Sequence, residues 1–180
     1  MIRTKLILGL LLLSCHFLVA QESPPVRPSP TAIASARYKD SYLKITYCQP
    51  RKRGRIIFGG LVPFAEVWRT GANEATEITL TRDTFVRDTI VTAGTYSLFT
   101  IPEKDRWVII LNKELGLWGS YNYNPKMDTR RFTVPVESTG NEQFESFTIV
   151  INQRNSVADI LLLWDKTKVS IPIQFIEPKP

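Results

Sequence analysis

"GTYSLFTIPEKDRWVIILN", from Gly94 to Asn112, decides the fold. It holds two runs dense in Thr, Tyr, Phe, Val and Ile, the residues that suit a pleated, half-buried surface. The tetrapeptide "PEKD" joins Ile101 to Arg106, a connection short enough for a hairpin. The same signature continues on both sides. "SYLKITY" (41–47) alternates, with Leu43, Ile45 and Tyr47 on one face. "TEITLTRD" (76–83) alternates through Ile78 and Leu80, and "DTFVRDTIV" (83–91) reads as two short strands around Arg87 and Asp88. "RRFTVPV", "ESFTIVINQ", "VADILLLWD" and "KVSIPIQF" follow, the last two joined by "DKT". About ten short strands with tight turns and no long amphipathic helix predict an all-β protein, an antiparallel β-sandwich of jelly-roll-like type.

One stretch departs from the strand pattern. In "VPFAEVWRTG" (62–71), Pro63 suits a first helical position and Gly71 a left-handed stop. Phe64, Val67 and Trp68 then fall at i, i+3 and i+4 on one face. The spacing predicts one short helical turn on the sheet, with Trp68 in the core. Glu66 and Arg69, three apart, can pair on its outer side. Alternatively, the Arg69 guanidinium turns inward towards an anionic group.

The beginning of the chain speaks to compartment. Arg3 and Lys5 precede the apolar run "LILGLLLLSCHFLVA", which ends in a small residue at Ala20. This reads as a secretory signal peptide over residues 1–20. The run falls short of the ~20 apolar residues that span a bilayer, and no stop-transfer segment follows, so no transmembrane segment is expected. "LLSC" (12–15) offers a rival lipoprotein signal through Cys15. It is the weaker reading, because the apolar run continues past Cys15 and Leu13 is large for its position. The expected destination is periplasmic or extracellular. "QESPPVRPSPTAIAS" is rich in Pro and Ser, which sets a linker at 21–36 and a single β-sandwich domain at 37–177.

Removing the leader changes the chemical inventory. Cys15 and His16, the only histidine, leave with it, and Cys48 remains as the one cysteine. No internal disulfide can form, and Cys48 reads as a small buried hydrophobe. Lys plus Arg falls from 23 to 21 against 17 acids, a charge of +4. Much of that charge sits in "RKRGR" (51–55), which reads as a solvated loop, with no nucleic-acid motif and no nucleic-acid partner expected. Without histidine there is no Ser-His-Asp or Cys-His catalysis and no His-ligated metal. No metal and no cofactor are expected, since "NYNPKMD" (122–128) lacks the acidic ladder of a calcium loop. Carboxylates remain as the available acids and bases: Glu66, Glu74, Glu77 and Asp128.

Two polar-aromatic clusters are the candidate site. In "VWRTGANEAT" (67–76), Arg69, Asn73 and Glu74 surround Gly71, which permits a tight bend, and Asn73 tolerates unusual backbone angles. A turn that satisfies its own backbone is the structural alternative. "GLWGSYNYN" (116–124) places Trp118, Tyr121 and Tyr123 beside Asn122 and Asn124. Aromatic faces next to amide hydrogen-bonders suit a sugar ring or another small amphipathic ligand. A loop packing its own aromatics over a sheet end is the alternative.

"GRIIFGGLVPFAEVWRTGANEAT", "AGTYSLFTIP" and "WGSYNYN", in that order, resemble the exported bacterial family known as domain of unknown function 2911. The similarity runs from about Tyr38 to Phe175, with "FVRD" standing where that family more usually has an Asn-Gly hairpin turn. The resemblance implies one exported domain that shares both clusters, and it implies no reaction. The reading taken forward is an exported small-ligand-binding β-sandwich, its pocket formed where the Arg69–Glu74 bend meets the Trp118–Tyr123 loop. Arg69 would hold an anionic or carbonyl oxygen, Asn73 and Glu74 would bond hydroxyls or amines, and Trp118, Tyr121 and Tyr123 would stack. The ligand would be a saccharide, a peptide or a small metabolite. Two other readings stand beside it: a His-independent, carboxylate-based hydrolase, and a structural or interaction domain with no small-molecule site.

Overall fold

A computed structural model of the chain describes residues 26–177. The stretch read as a signal peptide, Cys15 and the start of the stretch read as a linker lie outside the described residues. Eleven strands follow in order: β1 (Thr31–Tyr38), β2 (Ser41–Cys48), β3 (Thr76–Leu80), β4 (Thr84–Val86), β5 (Thr89–Val91), β6 (Gly94–Pro102), β7 (Arg106–Asn112), β8 (Asp128–Ser138), β9 (Phe144–Arg154), β10 (Val157–Asp165) and β11 (Thr167–Phe175). Among the described residues no helix is long and apolar enough to cross a membrane.

All strand pairs are antiparallel, in the order β1-β2-β3-β6-β7-β8-β11-β10-β9, with the β4–β5 hairpin attached to β11. β8 turns the corner between two sheets. Its Asp128–Pro135 part pairs with β7, and Val136–Ser138 pairs with the start of β11. The two edges approach each other at the far side. Arg51 bridges Ser146, the Phe147 N–H donates to Pro50 O at 2.8 Å, and Gln153 Nε2 donates to Arg37 O at 3.0 Å. The result is an antiparallel β-sandwich nearly closed into a barrel.

Alternation in β2 sends Leu43, Ile45 and Tyr47 inward. They join a core that includes Trp68, Trp107, Phe147 and Trp164. Trp68 and Trp164 stack at 5.9 Å, and Trp107 meets Trp68 edge to face at 5.9 Å. β6 does not alternate: Tyr96 to Thr100 are all buried. The second face is covered from outside, where Phe99, Ile110 and Ala75 form a smaller core with Val67, Leu117 and Tyr123 packed on it. Residues from both polar-aromatic clusters therefore lie over the outer face of β6 and β7.

Three local expectations are corrected. Pro63–Gly71 is not helical, and the one 3-10 turn among the described residues is at Pro125–Met127. Trp68 instead pairs with Thr100 as an isolated bridge, donating to Thr100 O at 2.7 Å and accepting from its N–H at 2.9 Å. Extended backbone sends neighbours to opposite sides, so Val67 packs in the outer cluster and Trp68 in the main core. The Glu66–Arg69 ion pair is consequently absent from those formed among the described residues. The sheet also begins earlier than composition implies. β1 takes in Thr31–Ala36, part of the stretch read as linker, with Ala32, Ala34 and Ala36 facing the core.

The hairpins keep their expected positions. "PEKD" links β6 to β7, and Asp165–Lys166 links β10 to β11. In "FVRD", Arg87 takes the left-handed conformation at φ 58°, the geometry an Asn or Gly would supply at lower cost. Its guanidinium donates to Thr133 O at 2.6 Å, which offsets part of that cost.

Candidate functional site

The bend after Trp68 is held by side-chain bonds to its own carbonyls and by β2. Thr70 is fully buried with φ 53°, rare for a β-branched residue, and Asn73 has φ 56°. Thr76 Oγ1 donates to Thr70 O at 2.7 Å, Trp68 Nε1 to Gly71 O at 3.0 Å, and the Ala72 N–H to Cys48 O at 3.2 Å. Gly71 is needed for closeness. A Cβ there would lie 3.0 Å from Cys48 O and 3.1 Å from Thr76 Oγ1.

The two clusters meet. Glu74 pairs with Trp118 as an antiparallel bridge. The Ala75 N–H donates to Leu117 O at 2.8 Å and the Gly119 N–H to Asn73 O at 2.9 Å. The contact is made by backbone, so the side chains remain to be placed one by one. Asn73 Nδ2 donates to Ser29 O at 3.3 Å. Glu74 accepts from Arg27 Nη1 at 2.7 Å and from Cys48 Sγ at 3.2 Å. The Arg27 hydrogen bond, strengthened by its charge, holds the Glu74 carboxyl below its ordinary range. Both residues thus fasten the segment before β1 onto the bend.

The loop residues divide. Tyr123 lies over Phe99 at 5.0 Å, donates to Asp128 Oδ2 at 2.6 Å and accepts from Arg131 Nη2 at 2.8 Å. Burial, then the Asp128 acceptor, raises its pKa. Trp118 and Tyr121 are 59% and 84% exposed. Of the candidate residues, Tyr121 shares a cleft with Arg69: about 260 Å³, also lined by Pro63, Glu66 and Ser120. A second cleft of about 270 Å³ is lined by Asn73, Ser29, Arg55, Ala72 and Trp164. Leu61, Val62, Trp68 and Arg69 border both.

Arg69 is the anomaly between them. Its Nε is buried without a hydrogen-bond partner, and it takes part in none of the ion pairs formed among the described residues. An unsatisfied buried guanidinium nitrogen costs free energy unless something fills its bond. A larger cleft of about 660 Å³, lined by Asp40, Arg82, Asp83 and Glu177, has no such vacancy. Arg82 pairs with Asp40, Asp83 accepts from the Ala93 N–H, and Glu177 is bonded by Lys39 and Tyr38. The clefts at Arg69 are the better candidates despite their smaller size.

The carboxylates named from sequence are dispersed. Glu74 is bound to Arg27, Glu77 accepts from the Gly116 N–H at 2.9 Å, and Asp128 is bonded by Tyr123 and Asn112. Glu66 alone of the four lines a cleft at Arg69. Sequence reasoning missed Ser29 and Arg27, hidden in a Pro-rich stretch, and treated Arg55 only as a loop charge. The available signal for Arg55 was the glycine before it, which bends the basic loop at φ 71°.

A family model described as "Protein of unknown function (DUF2911)" matches residues 29–173. No curated protein and no solved structure matches the chain.

Proposed function

The chain belongs to the DUF2911 family, and from that premise we propose that it is an exported small-ligand-binding β-sandwich whose site is centred on Arg69. One observation carries the reading: a guanidinium nitrogen is buried without a partner in the wall shared by two clefts. An acceptor oxygen bound in either cleft would meet the same guanidinium and offset part of the cost of that burial. The strained Thr70 beside it fits the same reading, since costly backbone persists where a site requires it. Tyr121 and Asn73, which line one cleft each, are the accompanying contacts. Glu74 and Tyr123 position the two segments, and the exposed Trp118 ring supplies a contact for ligands that extend beyond the clefts. Each cleft lies near the lower bound of about 300 Å³ for small-molecule sites, which favours a small metabolite over a long saccharide or peptide. Carboxylate-based hydrolysis receives less support, because it needs two facing carboxylates and the clefts offer Glu66.

A thermal-shift screen of the purified protein tests the site. A ligand at 100 times its Kd adds about 2.7 kcal/mol of stability. Arg69→Ala and Tyr121→Ala should remain folded and lose that gain. If every stabilising compound acts equally on Arg69→Ala, the site is elsewhere. Export is tested by intact mass of the protein from its native host: a chain beginning at Gln21 without lipid supports it, and a diacylglycerol on Cys15 places the domain on a membrane tether.

A further inference from the structure

The two clefts at Arg69 differ in charge, and the difference names a ligand class. The cleft on the Tyr121 side contains Glu66. The cleft on the Trp164 side contains no carboxylate and two arginines, Arg55 and Arg69. Arg55 donates through Nε to Lys52 O at 3.0 Å and through Nη2 to Arg51 O at 2.6 Å. Those acceptors are neutral, so they orient the guanidinium without cancelling its charge. Neither arginine belongs to an ion pair formed among the described residues. Two uncompensated guanidiniums on one concave surface repel each other and raise the local positive potential. A bound anion removes both costs.

The rest of the lining selects among anions. Leu61 is the exposed apolar residue of the lining, while Val62, Ala72, Trp68 and Trp164 are buried. A bare inorganic ion leaves the Leu61 side chain in contact with water. An anion with an apolar body covers it and gains from the burial. A carboxylate matches the planar donor fork of arginine, which neutral hydroxyls do not.

Resting on the ligand-binding reading above, we propose that the cleft between Arg55 and Arg69 binds a small organic acid, its carboxylate held by the two guanidiniums and its apolar body set against the exposed Leu61. The Ser29 segment closes one side of this cleft, fastened there by the Asn73 and Glu74 bonds.

Isothermal titration of the purified protein with benzoate, benzamide and inorganic phosphate tests the class. Benzamide keeps the shape of benzoate and removes its charge, and phosphate keeps charge and removes the apolar body. Benzoate should bind more tightly than either, and its affinity should fall as sodium chloride is raised. Arg55→Gln lies on an exposed loop and should leave the fold intact. It should weaken benzoate by roughly 10- to 100-fold, the usual scale for a hydrogen bond to a charged group, and leave benzamide unchanged. Arg53→Gln, on the same loop but outside the cleft, should change nothing. Benzamide binding as tightly as benzoate, in an Arg69-dependent way, overturns the acid class and keeps the ligand site. Phosphate binding most tightly overturns the organic part. Equal losses from Arg53→Gln and Arg55→Gln overturn the specific site in favour of diffuse charge. If none of the three binds while the screen finds an Arg69-dependent neutral ligand, the acid class falls alone; if no Arg69-dependent ligand is found, both readings fall.

Discussion

Arg69 and Glu66 stand three residues apart, a spacing that brings opposite charges together on a helix. Here the chain is extended, and Arg69 lines the two clefts instead. The neighbouring Gly71 shows how little slack the bend has. Gly71→Ala would press a methyl group against Cys48 O, a backbone atom that cannot rotate away. Urea denaturation should show a loss of about 1–3 kcal/mol, the usual scale for overpacking a tight interior. An unchanged midpoint would mean that the bend can relax. Some residue roles were legible beforehand: Cys48 is buried, and Asn73 does take the left-handed backbone its type tolerates. The partners of Glu74 were not legible. Arg27 lies 47 residues away, and no local pattern connects them.

Among the strands, β1 was the one misread, because its inward positions are alanines in a stretch otherwise rich in Pro and Ser. Small residues carry a weak strand signal, yet here they fit where β1 packs close against the core. Tyr38 to Thr31 pair along the whole of β2, so β1 covers an edge that would otherwise be open. A chain beginning at Thr31 gives up the exposed Arg27–Glu74 pair and the contacts of Ser29 and Pro30, and should lose no more than about 2 kcal/mol. A chain beginning at Tyr38 loses β1 itself and should unfold at much lower urea or aggregate through β2. Equal midpoints for the two would show that β1 is dispensable. β6 and β7 were recognised as strands from Gly94–Asn112 alone, although their burial on both faces follows from the loop and bend laid over them.

At the scale of the molecule, stability should fall on the acid side. Arg27 lowers the Glu74 pKa, and Lys39 with Tyr38 lowers that of Glu177. At Asp165 burial pushes the pKa up, but hydrogen bonds from Lys52 and Gln143 outweigh it and the net shift is down. A carboxylate whose folded pKa lies below its unfolded value stabilises the fold fully above the unfolded value. That contribution disappears as pH falls through the folded one. The ordinary values here are 3.8 for Asp165 and 4.5 for the two glutamates. The melting temperature should therefore decline below about pH 4.5, and high salt should blunt the decline, since these pairs are largely at the surface. A flat profile down to pH 3 would show that they add nothing. The tryptophans divide in the same global sense. Trp164→Ala empties the centre of the core and should cost about 3–5 kcal/mol, whereas Trp118→Ala should stay within about 0.5 kcal/mol, both measured by urea denaturation.

The sequence by itself determined the class of this protein. Period-two alternation, β-branched and aromatic runs, and turns such as "PEKD" and "DKT" are local properties, and they dictate antiparallel strands wherever those strands end up. It also located two polar clusters as the places where that pattern breaks. Tertiary structure decided the rest. The Trp68 segment bridges Thr100 because a neighbouring strand offers free backbone groups there, and that choice overrides a helical spacing that no other contact supports. The pairing of Glu74 with Trp118, the covering of Phe99, and the meeting of Arg55 with Arg69 at one cleft join residues distant in the chain. Side-chain spacing specifies only which face a residue occupies on its own element. Which faces meet is set by how the two sheets fold over one another at β8, and no short window of sequence contains that information.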